Sequence, residues 1–180
     1  MALKPTIYKF RVNLADTNRN QYSDINLTVA KHPSENQVRM MVRLLAFCLN
    51  STEHLTFTKG LSDQDEPDIW ELSDIGDILT WIDVGEPSSD RIKKATRKSK
   101  HTHIYTFNEN KSDVWFGKNQ AALRQLNVSI TQLDFAPIEA LTHALQRTND
   151  LSLMISGHSL FVTLGEVNEE VTLTELQTQE

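Results

Sequence analysis

The sequence predicts an α+β protein with a mixed central β-sheet flanked by helices. Three observations carry that reading. Residues 6–14 and 25–30 alternate apolar and polar side chains at the period of a half-buried strand. Residues 38–49 repeat apolar side chains at helical spacing. Residues 78–107 read strand, helix, strand, a crossover that sets two strands parallel in one sheet and so makes the sheet mixed.

Taken in order, TIYKFRVNL puts Tyr8, Phe10, Val12 and Leu14 on one face, and INLTVA does the same with Ile25, Leu27 and Val29. The polar run between them holds turn formers, so the two strands are expected to form a hairpin with a longish loop. Ser34 followed by Gln37 is a capping-box pattern, which predicts a helix over 35–49 with Val38, Met41, Val42, Leu45 and Cys48 or Leu49 inward. Short strands are expected at 55–60, 68–73 and 78–84, the last two joined at Asp74 and Gly76. Ser88 and Ser89 cap a basic helix over 90–99, and a strand follows at 102–107. A helix over 114–126 should pack Trp115, Phe116, Ala122, Leu123 and Leu126 inward. The C-terminal part reads as a strand, a short helix, a hairpin turning at Gly157-His158 and a last edge strand near 168–176. One domain over residues 1–180 is expected, with a core at about 35–107, an N-terminal hairpin at 5–31 and a C-terminal helix and hairpin within 128–176.

Composition narrows the function classes. Charged residues are 23% and hydrophobic ones 39%, an ordinary globular balance. The net charge of −6 argues against a protein that coats nucleic acid along its whole surface, while leaving room for a local basic patch. The single cysteine, Cys48, excludes an internal disulfide and lies in an apolar helical run, where it reads as a structural thiol. The opening MALKPTIYKF has no apolar core of a signal peptide, and no stretch reaches the ~20 apolar residues of a membrane span, so the expected location is the cytoplasm, with no membrane partner.

The chemistry concentrates between Pro67 and Lys98. Asp68 and Asp74 lie in or beside one strand, Asp83 closes its neighbour, and Lys93 and Lys94 follow in the helix. Acids on adjacent strands beside a lysine suit a divalent metal working on a phosphodiester, and they equally suit a charged surface hairpin. In the helix, Arg91, Lys94 and Lys98 form one basic stripe and Lys93, Arg97 and Lys100 another, which as a plain reading is a solvated face. Arg39 and Arg43 stand four and eight residues after Glu35, whose plain role is a first-turn acid facing the helix dipole. His101 and His103 share a strand face, a pair without a third ligand at metal-site spacing.

TIYK, then HPSE with the RMMVRLLAF helix, then TKGL, DEP, WID-G and RIKKA together resemble the YaeQ family of bacterial proteins, over about residues 2–106 and more loosely to the C-terminal hairpin. The resemblance implies a fold related to the PD-(D/E)XK nucleases (a restriction-endonuclease-like core). In that superfamily a helix bearing a glutamate precedes three strands, a helix and a strand. Carried over by position, Glu35 is the helix glutamate and Asp83 the acid of the (D/E)-x-K. Asp74, with Asp68 as the alternative, is the middle carboxylate. The lysine position holds Gly85, which nominates Lys93 or Lys94 of the next helix in its place. An intact site of this kind holds Mg²⁺ through the carboxylates, and the metal activates a water.

Two readings follow. One is a Mg²⁺-dependent nuclease or phosphodiesterase on DNA or RNA, using Glu35, Asp74, Asp83, Lys93 and Lys94, with Asp74 and Asp83 as the metal ligands. The other is a non-catalytic binding or regulatory protein on the same fold, with Arg39, Arg43 and Arg91 contacting a protein or nucleic-acid partner. The two part on whether the carboxylates face a metal or are filled by arginine counter-ions.

Overall fold

A computed structural model describes residues 3–180. The chain runs through β1 (Thr6–Asp16), β2 (Gln21–Lys31), α1 (Gln37–Leu49), β3 (Leu55–Phe57), β4 (Ile69–Leu72) and β5 (Ile78–Val84). It continues through α2 (Ser89–Lys98), β6 (Ser99–Thr106), α3 (Glu109–Leu123) and β7 (Ser129–Leu133). The last elements are α4 (Phe135–Thr142), β8 (Thr148–Ser156), β9 (Ser159–Leu164) and β10 (Val167–Gln177). The chain forms two compact units, Met1–Leu49 with Asp134–Leu173, and Asn50–Leu133 with Thr174–Glu180. Among the described residues no helix is long and apolar enough to cross a membrane.

The first unit is built on a sheet in the order β2-β1-β8-β9-β10. β1 and β2 pair antiparallel over all eleven residues, from Thr6↔Lys31 to Asp16↔Gln21. Both strands extend into the run expected as loop, leaving residues 17–20 for the turn, because buried Asp16 holds that turn by accepting the Asn18 and Arg19 amides and Arg19 Nε, while Asn13 Nδ2 bonds across to Asp24 Oδ1 at 2.8 Å. β1 runs parallel to β8, and the β8–β9 hairpin turns at Gly157, whose φ of +58° suits a residue without a Cβ. Tyr8, Phe10, Val12 and Leu14 lie on the buried face with Leu151, Leu153, Leu160 and Val162. Each such side chain contributes about 1.5–3 kcal/mol by leaving water.

Helix α1 starts at Gln37, two residues later than the capping-box pattern predicts. The cap is Asn36, whose Oδ1 accepts the Arg39 amide at 2.8 Å, while Ser34 turns back to His32 Nδ1. From Met40 to Cys48 every residue of α1 is buried, so it is apolar nearly all round rather than along the one expected stripe.

The second unit orders its strands β7-β6-β5-β4-β3. β3, β4 and β5 pair antiparallel, whereas β5, β6 and β7 are parallel, which makes this sheet mixed. The β5–α2–β6 crossover stands where the sequence placed it. Ser88 Oγ caps α2 by accepting the Arg91 amide, and Ile92 and Ala95 are its buried face. α3 begins five residues before the predicted start, since Asn108-to-Ser112 bonds and Glu86 organise its first turn. It buries Leu123, with Trp115 and Phe116 partly covered on the Ile92–Ile104–Val128–Ile130 cluster. Ala122 is exposed, against the expectation that it packs inward, because the earlier turns set the helix face through Ser112 and Leu123.

Two stability predictions follow from this unit-by-unit packing. Asn36→Ala should cost about 1 kcal/mol in urea unfolding while Ser34→Ala changes little. Burial first, and the neighbouring His101 second, lower the His103 imidazole from its ordinary 6.5 to about 4. The unfolded chain therefore takes up that proton first, and stability is lost as pH falls from about 6.5 towards about 4. Unfolding curves at pH 7 and pH 5 should differ less for His103→Asn than for the wild type.

Candidate functional site

Asp83 lies near the end of β5, in the second unit. The register Ile69↔Ile82 sets Asp68 opposite it, and Asp68 bonds to the residues on either side: its amide donates to the Ile82 carbonyl at 3.0 Å and its Oδ2 accepts the Val84 amide at 2.8 Å. Both aspartates are buried. Two like charges opposite one another on adjacent strands repel, so the pair demands a cation or a shared proton.

The cation is Arg91, in the first turns of α2. Its Nε donates to Asp83 Oδ2 at 2.8 Å and its Nη2 to Oδ1 at 3.0 Å, a two-point ion pair. Trp81, two residues before Asp83 and so on the same strand face, donates Nε1–H to Oδ2 at 3.1 Å, and the guanidinium stands 5.6 Å from the Trp81 ring. The remaining donors of Arg91 hold the acidic loop, Nη1 to the Gln64 carbonyl at 2.6 Å and Nη2 to the Glu66 carbonyl at 2.9 Å. Burial is the main force raising the Asp83 carboxyl above its ordinary value, with the Asp68 charge adding to it; Arg91 and the Trp81 N–H pull the other way.

Gly85, at the lysine position of the (D/E)-x-K pattern, has φ +110° and donates its amide to the Tyr105 carbonyl. A lysine there would be strained at that backbone angle even though the space beside it is open. Lys93 and Lys94, expected as its replacement, are both exposed, and neither forms an ion pair with a described residue. Asp74 is exposed in the β4–β5 turn, where Ser73 and Gly76 make the backbone bonds, and the structure does not bring it to Asp83. The aspartate beside Asp83 is Asp68, the alternative.

Glu35 belongs to the first unit and is buried. It lies two residues before α1, and its carboxylate accepts from Arg39 Nη1, from Arg43 Nη2 at 2.8 Å and from Arg43 Nε at 3.2 Å. Arg43 also reaches the Ala30 carbonyl at 2.9 Å, and Lys31 Nζ the Glu35 carbonyl at 2.8 Å. Glu35 thus ties the chain leaving β2 to α1, in place of the dipole role available to a first-turn acid.

The donors needed for Mg²⁺ are consequently in use. Both oxygens of Asp83 and both of Glu35 accept from arginine, and in neither unit do three His, Cys, Asp or Glu side chains among the described residues meet as a metal set. The residues do not fit the ion. Cys48 is buried and burial pushes its thiol up to about 12, Arg19 opposing, so it is no nucleophile. Trp81 and the loop carbonyls 64 and 66 were missed by sequence reasoning; the Trp-x-Asp spacing on one strand was the available signal for the first, and nothing in the sequence marks the carbonyls.

The arrangement is that of a mixed α+β protein whose buried carboxylates are held by arginines. A family model described as YaeQ protein matches residues 1–173, and the chain belongs to the YaeQ family. It is 40% identical to the uncharacterized protein YaeQ of Escherichia coli K12 and 39% identical to that of Salmonella typhi, each over 98% of both chains. The crystal structure of the YaeQ protein from Pseudomonas syringae matches with a TM-score of 0.92 at 38% identity, over 97% of each chain. That of the Xanthomonas axonopodis pv. citri protein matches at 0.93 and 31% identity, over 97% of this chain and 99% of that one.

Removing one partner of a largely buried ion pair leaves the other charge uncompensated, so Arg91→Met should destabilise the fold by about 3 kcal/mol near neutral pH. The loss should shrink in acid, where Asp83 is protonated and its raised value no longer opposes folding. Urea unfolding of the variant and wild type at pH 7 and pH 4 checks both parts.

Proposed function

We propose that the chain keeps a PD-(D/E)XK nuclease-like core as a non-catalytic protein that binds the phosphate backbone of a nucleic acid. The observation that carries this reading is the two-point capture of Asp83 by Arg91, which occupies the acid of the metal-site pattern with an arginine counter-ion. The element order α1, β3, β4, β5, α2, β6 supports the fold part of the proposal.

The binding surface is α2 with the start of β6. Lys93, Lys94, Arg97, Lys98 and Lys100 are exposed, and none of them pairs with an acid among the described residues. Arg97 and Lys98 are favoured by the negative end of the helix dipole. Four cations on α2 and a fifth at the start of β6, in a chain of net charge −6, give a local positive face, which suits one strand of phosphates and no more. Binding is therefore expected to be modest, with a dissociation constant of about 10 µM at physiological salt.

Fluorescence anisotropy with labelled duplex DNA and single-stranded RNA, over a salt series and with Mg²⁺ present, tests this. The proposal expects affinity that falls with salt and oligonucleotides that stay intact. Lys94→Gln and Lys98→Gln should each reduce the steepness of the log–log salt dependence by about 0.9 for duplex DNA, with no change in stability. Absence of binding at low salt would refute it. So would Mg²⁺-dependent cleavage that Asp83→Ala abolishes, and that outcome would install the nuclease reading, which the Asp68–Asp83 pairing favours.

A further inference from the structure

β2 is the terminal strand of the first unit's sheet and, among the described residues, pairs with β1 alone. The direction of its free edge follows from β1. The Lys9 amide donates to the Arg147 carbonyl at 2.8 Å, so odd-numbered residues of β1 turn their main chain to the β8 side and even-numbered ones to β2. The residues of β2 bonded to β1 are then Ser23, Ile25, Leu27 and Val29, opposite Leu14, Val12, Phe10 and Tyr8. Tyr22, Asp24, Asn26 and Thr28 point their N–H and C=O groups away from the sheet, and all four residues are exposed. At the end of this row the Ala30 carbonyl already accepts from Arg43.

An eleven-residue edge of this kind pairs with other strands unless something blunts it, and the usual devices are proline, bulges, and charges aimed inward. β2 has none of them along its length: it contains no proline, its register with β1 is unbroken, and no inward charge lies between Ser23 and Val29. Asp24 faces outward and already accepts from Asn13. The strand is also complementary to itself. Antiparallel pairing about its midpoint, Asn26, opposes Ile25 to Leu27, Ser23 to Val29, Asp24 to Thr28, Tyr22 to Ala30 and Gln21 to Lys31, with Asn26 opposite its own copy. No like charges meet, all eleven residues find a partner, and the half-buried Ile25 gains cover from a second Leu27.

We propose that β2 is an assembly edge that pairs antiparallel with β2 of a second copy of this chain about a two-fold axis at Asn26. The pairing is independent of the nucleic-acid reading. Its hydrogen bonds come from the main chain of Tyr22, Asp24, Asn26 and Thr28 and from the Ala30 amide, the Ala30 carbonyl staying with Arg43, and the symmetry closes at two copies.

Sedimentation velocity on the full chain over a micromolar concentration series is the test, with circular dichroism melting as the folding control. Wild type should show a concentration-dependent dimer. Asn26→Pro removes an edge donor without touching the β1–β2 ladder, since the Asn26 amide points outward, and should weaken dimerisation about tenfold or more. Asn26→Asp and Asn26→Lys, exposed changes that leave the core alone, should each be monomeric because like charges meet on the axis. Mixing those two variants should restore a dimer. A wild type that stays monomeric throughout the series overturns the proposal. A dimer kept by both charged variants, or a mixture that does not reassociate, overturns the pairing about Asn26.

Discussion

The ion pair between Asp83 and Arg91 decides what the second unit can do. Asp83 is buried and faces Asp68 across the β4–β5 ladder, a juxtaposition that costs stability unless a cation neutralises it. Arg91 meets that need from α2 and uses its remaining donors to fasten the loop at Gln64 and Glu66. One side chain thereby joins a strand, a helix and an acidic loop. The same solution recurs in the first unit, where Arg39 and Arg43 close on Glu35. In both places a guanidinium, with its planar set of donors, occupies the carboxylate edge that a hard cation would use.

Much of the architecture was legible in the sequence because its physics is local. Alternation at period two marked β1 and β2, and Ser88 with Ser89 marked the start of α2. The strand–helix–strand pattern of β5, α2 and β6 implies their parallel pairing, which the structure has. The boundaries that moved did so for non-local reasons. β1 and β2 lengthened because buried Asp16 closes their turn on Asn18 and Arg19, and α1 began late because Asn36 rather than Ser34 turned its side chain to the open amides. The division into two compact units has no composition break or linker to announce it.

The site was legible only as an inventory. Asp83, Glu35, Arg39, Arg43 and Arg91 were all named from spacing, but which oxygen meets which nitrogen depends on pairings between strands and on side-chain reach. The choice between Asp68 and Asp74 shows the limit: register Ile69↔Ile82 brings Asp68 opposite Asp83, and register cannot be read from either residue's own neighbourhood. Gly85 is the instructive departure. It stands where the pattern has a lysine, and its φ of +110° shows why the chain at that point is better served by glycine as it leaves β5 for α2.

Asp83 is engaged by Arg91 and Trp81, which closes it to a divalent ion. Mn²⁺ titration followed by the Trp81 indole N–H resonance tests it directly, because that proton is bonded to Asp83 Oδ2 and a paramagnetic ion on the carboxylate would broaden it first. The account predicts that the Trp81 signal keeps its width while Mn²⁺ is raised beyond the protein concentration. Its disappearance at substoichiometric Mn²⁺ would contradict the account and show that the metal displaces Arg91.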